Sequence, residues 1–217
     1  MSKRGNLSAD KILDRAIELL DRDGPEKFSM RKLAAEFDVD PMAIYYHIPN
    51  RSALMHRVVD TVVSRCELPD GKSGWQQTCV AICRAFRRLA QQHPGVIRTF
   101  DGFDDWVAGE HRISEALHAA LTAGGFGAAH TARTARLLLG YTENFCAWES
   151  TDWIRPYTPE MRSELEDSLA EGNYPVTTKL LDEVVNIDPD AEFEFGLTIM
   201  IRGLEASLEN ATEISAL

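Results

Sequence analysis

The chain has 217 residues, 44% of them hydrophobic and 26% charged, a balance ordinary for a globular protein. No run of eighteen or more apolar residues occurs, and the polar opening "MSKRGNLSAD" lacks the apolar stretch of a secretory signal, so neither a membrane span nor export is expected. The net charge of −11 excludes bulk attraction to nucleic acid, yet it is unevenly spread: residues 1–65 hold eleven Lys/Arg and ten Asp/Glu, whereas the remainder holds twelve and twenty-four.

The pattern is helical almost throughout, and an all-α fold is expected. In "SADKILDRAIELLDRDG", Ser8 caps a helix whose apolar stripe is Ile12, Leu13, Ala16, Ile17 and Leu20, and Gly24–Pro25 stops it. A second helix, "SMRKLAAEF", starts at Ser29 and is expected to bury Leu33, Ala34 and Phe37. After a tight turn, Asp40 caps a third helix with Pro41 in its first turn, and Pro49 ends it. Asn50 caps a fourth, expected over 51–66. "ELPDGKSG", residues 67–74, has no apolar period and reads as a linker. Helices are then expected over Trp75–Gln92, Asp105–Ala123, Ala128–Glu149, a polar segment starting "PEMRSELEDSLAEG", Val176–Val185 and Ala191–Leu208. The domain reading is 1–66 as a helix-turn-helix unit, 67–74 as linker, and 75–217 as a larger helical domain.

Two short helices joined by a tight turn and braced by a third form the arrangement that presents its second helix to a DNA major groove. Here that helix is 40–48, with Ile44 and Ile48 directed inward and Pro41, Met42, Tyr45 and Tyr46 on the outward arc. Tyrosine packs on sugar while its hydroxyl reaches a phosphate, and Met42 or Ala43 suits a thymine methyl. Arg31 is a candidate for guanine, Lys32 and Ser29 for phosphate, and Asn50 and Arg51 for phosphate at the start of the fourth helix. Lys3 and Arg4 form a short basic arm, either for a minor groove or simply a chain terminus. For each tyrosine the other reading is packing on the fourth helix; for His47, a structural hydrogen bond.

The stretch "FSMRKLAAEFDVDPMAIYYHIPNRSAL" resembles the DNA-binding module of the tetracycline-repressor (TetR-type) family of bacterial transcriptional regulators, over roughly residues 8–58. "RAFRRLAQQHPGVI", "EALHAALTAGGF" and "ARLLLGYTENFCAWE" resemble, more loosely, the C-terminal domain of the tetracycline-repressor branch. The resemblance implies an all-helical cytoplasmic homodimer, not an enzyme. Such a dimer binds a palindromic double-stranded DNA operator and releases it when a small molecule enters the C-terminal domain. It points to Arg31 for base contact, to Met42, Tyr45 and Tyr46 for the groove, and to His47 and Arg51 for phosphate. Two departures stand out. The turn "FDV" has Asp38 where the family usually has glycine, which requires a positive φ of Asp38. The recognition helix also lacks Arg, Lys, Asn and Gln, so hydrogen-bond readout of bases is expected to be sparse and DNA shape correspondingly important.

In the larger domain the aromatic residues Phe100, Phe103, Trp106, Tyr141, Phe145 and Trp148, with Asn144 and Glu143, are candidates for the wall of a ligand pocket; the other reading is core packing. A largely apolar or aromatic effector is expected. In the branch resembled, a drug–magnesium chelate is held partly by a histidine; the matching position here is Phe100, and Glu149 matches the acidic residue near it, so that chelate is not carried over. Neither cofactor nor metal is expected. Cys79 and Cys83 lack two further ligands at zinc spacing, and His111, Glu115 and His118 share one helical face that reads as solvated. The four cysteines show no disulfide pattern. Residues 128–149 and 191–208, the one rich in small residues and the other apolar at helical spacing, are the candidate homodimer helices in a four-helix interface.

Overall fold

The structure is a computed structural model that describes residues 7–100 and 107–209. It is all-α, with no strand among the described residues: α1 (Ala9–Asp23), α2 (Met30–Ala35), α3 (Pro41–His47), α4 (Arg51–Val63), α5 (Trp75–Gln92), α6 (Pro94–Ile97), α7 (Ala108–Ala123), α8 (Ala128–Ser150), α9 (Pro159–Glu171), α10 (Pro175–Lys179), α11 (Leu181–Val185) and α12 (Pro189–Glu209). No described helix is long and apolar enough to cross a membrane. The chain divides into two compact units, Met1–Ser150 and Thr151–Leu217.

In the first unit the expected caps set the helix starts. Ser8 accepts from the Lys11 N–H at 3.4 Å, Ser29 from Lys32 at 3.2 Å, Asp40 from Met42 at 2.8 Å and Asn50 from Ala53 at 2.8 Å. Gly24 ends α1 with φ 81°, its N–H bonded to the Leu20 carbonyl. Asp38 adopts φ 54°, as the glycine-less turn requires. It sits in a Schellman motif: its N–H bonds the Ala35 carbonyl and that of Val39 the Ala34 carbonyl.

That motif ends α2 two residues before Phe37, which lies half-buried in the turn and not on the buried helix face expected of it. α4 likewise stops at Val63, not Cys66, and the expected 176–185 helix is broken at Leu180 into α10 and α11. A short 3-10 turn over Pro25–Lys27 and the four-residue α6 have no sequence period to reveal them. The expected start of α7 at Asp105 lies outside the described residues.

Ile12, Leu20, Leu33, Ile44, Ile48, Leu54 and Val58 are fully buried at the centre of α1–α4. A second layer forms where α5, α7 and α8 pack on one another, with Ile82, Phe86, Ile113, Leu117, Leu138 and Phe145 inside. α1 packs on α6 and α4 on α7, so the two layers share one compact unit. In the second unit, Thr158 caps α9 by accepting from Met161 and Asp188 caps α12 by accepting from Asp190 and Ala191.

Candidate functional site

α3 presents a largely apolar face with no lysine or arginine on it. Burial of Ile44 and Ile48 against α2 and its neighbours turns the opposite arc outward. On that arc Tyr46 is 87% exposed, Met42 70% and Tyr45 36%, while Ala43 and His47 are half-buried. Tyr46 therefore does not pack on the fourth helix; its ring meets His47 edge-on at 5.4 Å. Arg31 and Lys32 stand exposed on α2. The Ser29 hydroxyl and the Asn50 side-chain oxygen are engaged as caps, leaving the Asn50 amide N–H groups as donors. The Arg51 guanidinium lies 5.8 Å from the centre of the buried Phe28 ring, which holds it at the start of α4. Lys3 and Arg4 lie outside the described residues.

Of the sequence-predicted pocket residues, the structure brings Tyr141 and Phe145 together and turns Asn144 and Trp148 away from them. Phe103 and Trp106 lie outside the described residues. Phe145 is buried, with Tyr141 tilted against it at 5.9 Å and half-buried; Phe100 is half-buried, edge-on to Phe86 at 6.2 Å. Asn144 and Trp148 (44% exposed) instead face outward, because the helical period puts them with Leu137 on an arc about 100° from that of Leu138, Thr142 and Phe145. Asn144 donates back to the Gly140 carbonyl at 2.8 Å.

What fills the α5–α8 interface is partly polar. Arg87 donates to both carboxylate oxygens of Glu149 at 2.9 and 2.7 Å, the two side chains only 9% and 15% exposed, and its guanidinium lies 5.4 Å from the Phe145 ring centre. Burial, and then the Glu110 charge, pushes the Glu143 carboxyl up to about 7. Burial likewise raises the thiols of Cys79, Cys83 and Cys146, so these stay protonated. His111 and Glu115 are exposed and His118 half-buried; no metal-type cluster occurs among the described residues. A cleft of about 280 Å³ opens between α4 and α5, lined by Arg65, Glu67, Arg88, Gln92 and His93 among others, and none of the aromatic residues named above borders it.

Known proteins share both halves of this arrangement. Residues 12–58 match the family described as "Bacterial regulatory proteins, tetR family", and residues 68–208 match "Tetracyclin repressor-like, C-terminal domain". The chain belongs to the TetR family. It is a helix-turn-helix transcriptional regulator, and its relatives agree. An HTH-type transcriptional regulator of Saccharopolyspora erythraea is 29% identical over 93% of this chain and 86% of its own. The HTH-type transcriptional repressor DrrR1 of Streptomyces coeruleorubidus is 27% identical over 92% and 77%. Among solved structures, the Streptomyces coelicolor TetR-family protein ActR in complex with actinorhodin superposes with a TM-score of 0.81 at 26% identity, covering 94% of this chain and 97% of that one.

A TetR-family regulator must join its DNA-binding helices to the helices behind them, and two aspartates do so here. Asp21 of α1 reaches α6: one carboxylate oxygen accepts from the N–H groups of Gly95 and Val96 at 3.0 and 3.3 Å, and the other lies 2.8 Å from Nδ1 of His93. Asp60 of α4 reaches α7, accepting from the Gly109 N–H at 2.9 Å. Neither glycine has room for a Cβ, Gly95 against the Leu20 carbonyl and Gly109 against the Val63–Ser64 backbone. The readable signal was a glycine within the first turn of each helix, where a side chain costs nothing unless another backbone approaches.

Proposed function

We propose that this TetR-family chain is a homodimeric repressor that binds a palindromic operator through α3 and leaves it when a small molecule occupies the helical domain behind. The observation that carries the reading is the outward arc of α3, where Met42, Tyr45 and Tyr46 stand exposed beside Arg31 and Lys32. An apolar arc of that kind is a poor solvated surface, and it suits a groove. Tyr45 and Tyr46 stack on sugar and reach phosphate, Met42 and Ala43 meet base methyls, and Arg31 pairs with guanine. Ser29, Lys32, His47, Asn50 and Arg51 hold the flanking phosphates, with the charge the recognition helix lacks. A regulator of chromosomal DNA works in the cytoplasm. The functional division is 1–66 for DNA, 67–74 as linker and 75–217 for effector and dimer.

ActR, whose helical fold this chain shares, is known in complex with actinorhodin, which supports a ligand role for the rear domain. The effector proposed is largely apolar or aromatic, entering beside Phe100, Tyr141 and Phe145. The dimer forms through 128–149 and 191–208. Leu137 and Trp148 on α8, and Phe195 and Ile199 on α12, are exposed in the single chain and are the apolar side chains a partner copy would cover. Asn144 joins them on the α8 arc.

The test is selection of bound sequences from random DNA by the full-length protein, then titration of the selected palindrome at rising salt. Affinity is expected to fall with a log–log slope of about 0.9 for each phosphate neutralised. Failure to enrich any palindrome, or salt-independent binding, would overturn the reading.

A further inference from the structure

The two aspartates at the junction form a repeated device. Each lies on a helix of the DNA-binding module, and each caps the N-terminus of a helix in the layer behind. On α6, Pro94 has no N–H; the Asp21 carboxylate takes the N–H of Gly95 and shares that of Val96 with the His93 carbonyl. On α7, Gly109 is the second residue, and Asp60 takes its N–H. At both points a glycine lets backbone approach backbone. At both points an arginine returns the contact: Arg112 of α7 donates to the Ser64 carbonyl at 2.6 Å, and Arg98, just after α6, pairs with Glu26 at 3.7 Å.

A single clamp leaves a rotation free, whereas two clamps on different helices fix the orientation of the module that carries α3. Caps are short, directional bonds that a shift of about 1 Å breaks. Resting on the operator-binding reading above, we propose that Asp21 and Asp60 are positioning residues that set the separation and relative rotation of the two recognition helices in the dimer, and thereby the half-site spacing the protein accepts. They touch no DNA in this proposal; they determine where the DNA-reading helices stand.

The experiment uses the full-length protein and the palindrome it selects from random DNA, together with the same palindrome lengthened and shortened by one base pair at its centre. Each such change moves the half-sites by about 3.4 Å and rotates them by about 34°. Fluorescence anisotropy gives the ratio of Kd values between natural and altered spacing, and thermal melting gives stability. Asp21→Ala and Asp60→Ala are each expected to shrink that ratio by about fivefold, the scale of one lost cap. Affinity for a single half-site should stay at the wild-type value. Asp21→Asn and Asp60→Asn, whose amide oxygen still accepts, should keep most of the ratio. Arg112→Ala, at an exposed residue, should also narrow it and serves where an alanine variant does not fold. Unchanged spacing ratios in folded variants, with only melting temperature lowered, would show purely structural caps and overturn the proposal. A wild-type protein that enriches no palindrome fails one step earlier, at the operator-binding reading.

Discussion

At the scale of single residues, two side chains carry sharp expectations. Arg31 stands exposed on α2, beside a helix that carries no Arg, Lys, Asn or Gln. Arg31→Ala should therefore weaken operator binding by roughly 1–3 kcal/mol and relax selectivity at one base pair of each half-site, measured by competition among single-substituted operators. An equal loss on all sequences would instead make Arg31 a phosphate ligand. Glu143 has a carboxyl raised to about 7 by burial and by Glu110. The folded state therefore holds its proton more tightly than the unfolded chain does. Its contribution is fully present below the unfolded value near 4.5 and is lost as pH rises through about 7. Glu143→Gln, which cannot ionise, should match wild type near pH 4.5 and exceed it by roughly 2–3 kcal/mol at pH 8, read from denaturant melts at both pH values. The inward direction of Ile44 and the outward direction of Met42, Tyr45 and Tyr46 were legible from a helical wheel. Phe37 was not, because the Schellman turn at Asp38 ended the helix beneath it.

At the scale of elements, α5 and α8 are joined by the Arg87–Glu149 pair. Both charges are nearly buried, so removal of one partner strands the other. Glu149→Ala should cost roughly 3–5 kcal/mol, whereas replacing both residues by apolar side chains of similar size should cost far less or nothing. A double-mutant cycle in urea measures the difference, and additive single effects would show that the pair does not couple. Long helices with caps and Pro–Gly punctuation were readable because those signals are local: α5 runs over the residues expected of it, and α8 extends only one residue further. α6 is too short for a period, and the ties of Asp21 to Gly95 and of Asp60 to Gly109 join residues far apart in sequence, which no local pattern encodes. The aromatic residues near 141–148 illustrate the same limit. They cluster along the chain, but the helix turns Phe145 inward and Trp148 outward.

At the scale of the whole molecule, the strongest expectation concerns a second copy. Charge placed on the apolar faces of α8 and α12, as in Leu137→Glu with Phe195→Glu, should convert the protein to monomer by light scattering while leaving its helical circular dichroism intact. Operator affinity should then fall toward that of a single half-site, at least about tenfold. A variant that stays dimeric would place the interface elsewhere. The family was legible in roughly the first sixty residues, where the caps, the turn at Asp38 and the inward Ile44 and Ile48 are local signals, and the all-α class in the helical patterning of the whole chain. How the helices behind that module pack is set by contacts between residues distant in sequence; there the sequence showed the helical segments and the likeness to the tetracycline-repressor C-terminal domain, but not the ties between them.

One consequence of the outward arc of α3 reaches the chemistry of the DNA itself. Met42 and Ala43 offer methyl-scale contacts, and Arg, Lys, Asn and Gln are absent from the helix. The group such a surface recognises on thymine is the methyl at C5. A cytosine methylated at C5 carries the same group at the same place in the groove. An operator read in this way would not separate the two bases at those positions, so enzymatic cytosine methylation would change which sites this protein occupies without changing a letter of the underlying sequence.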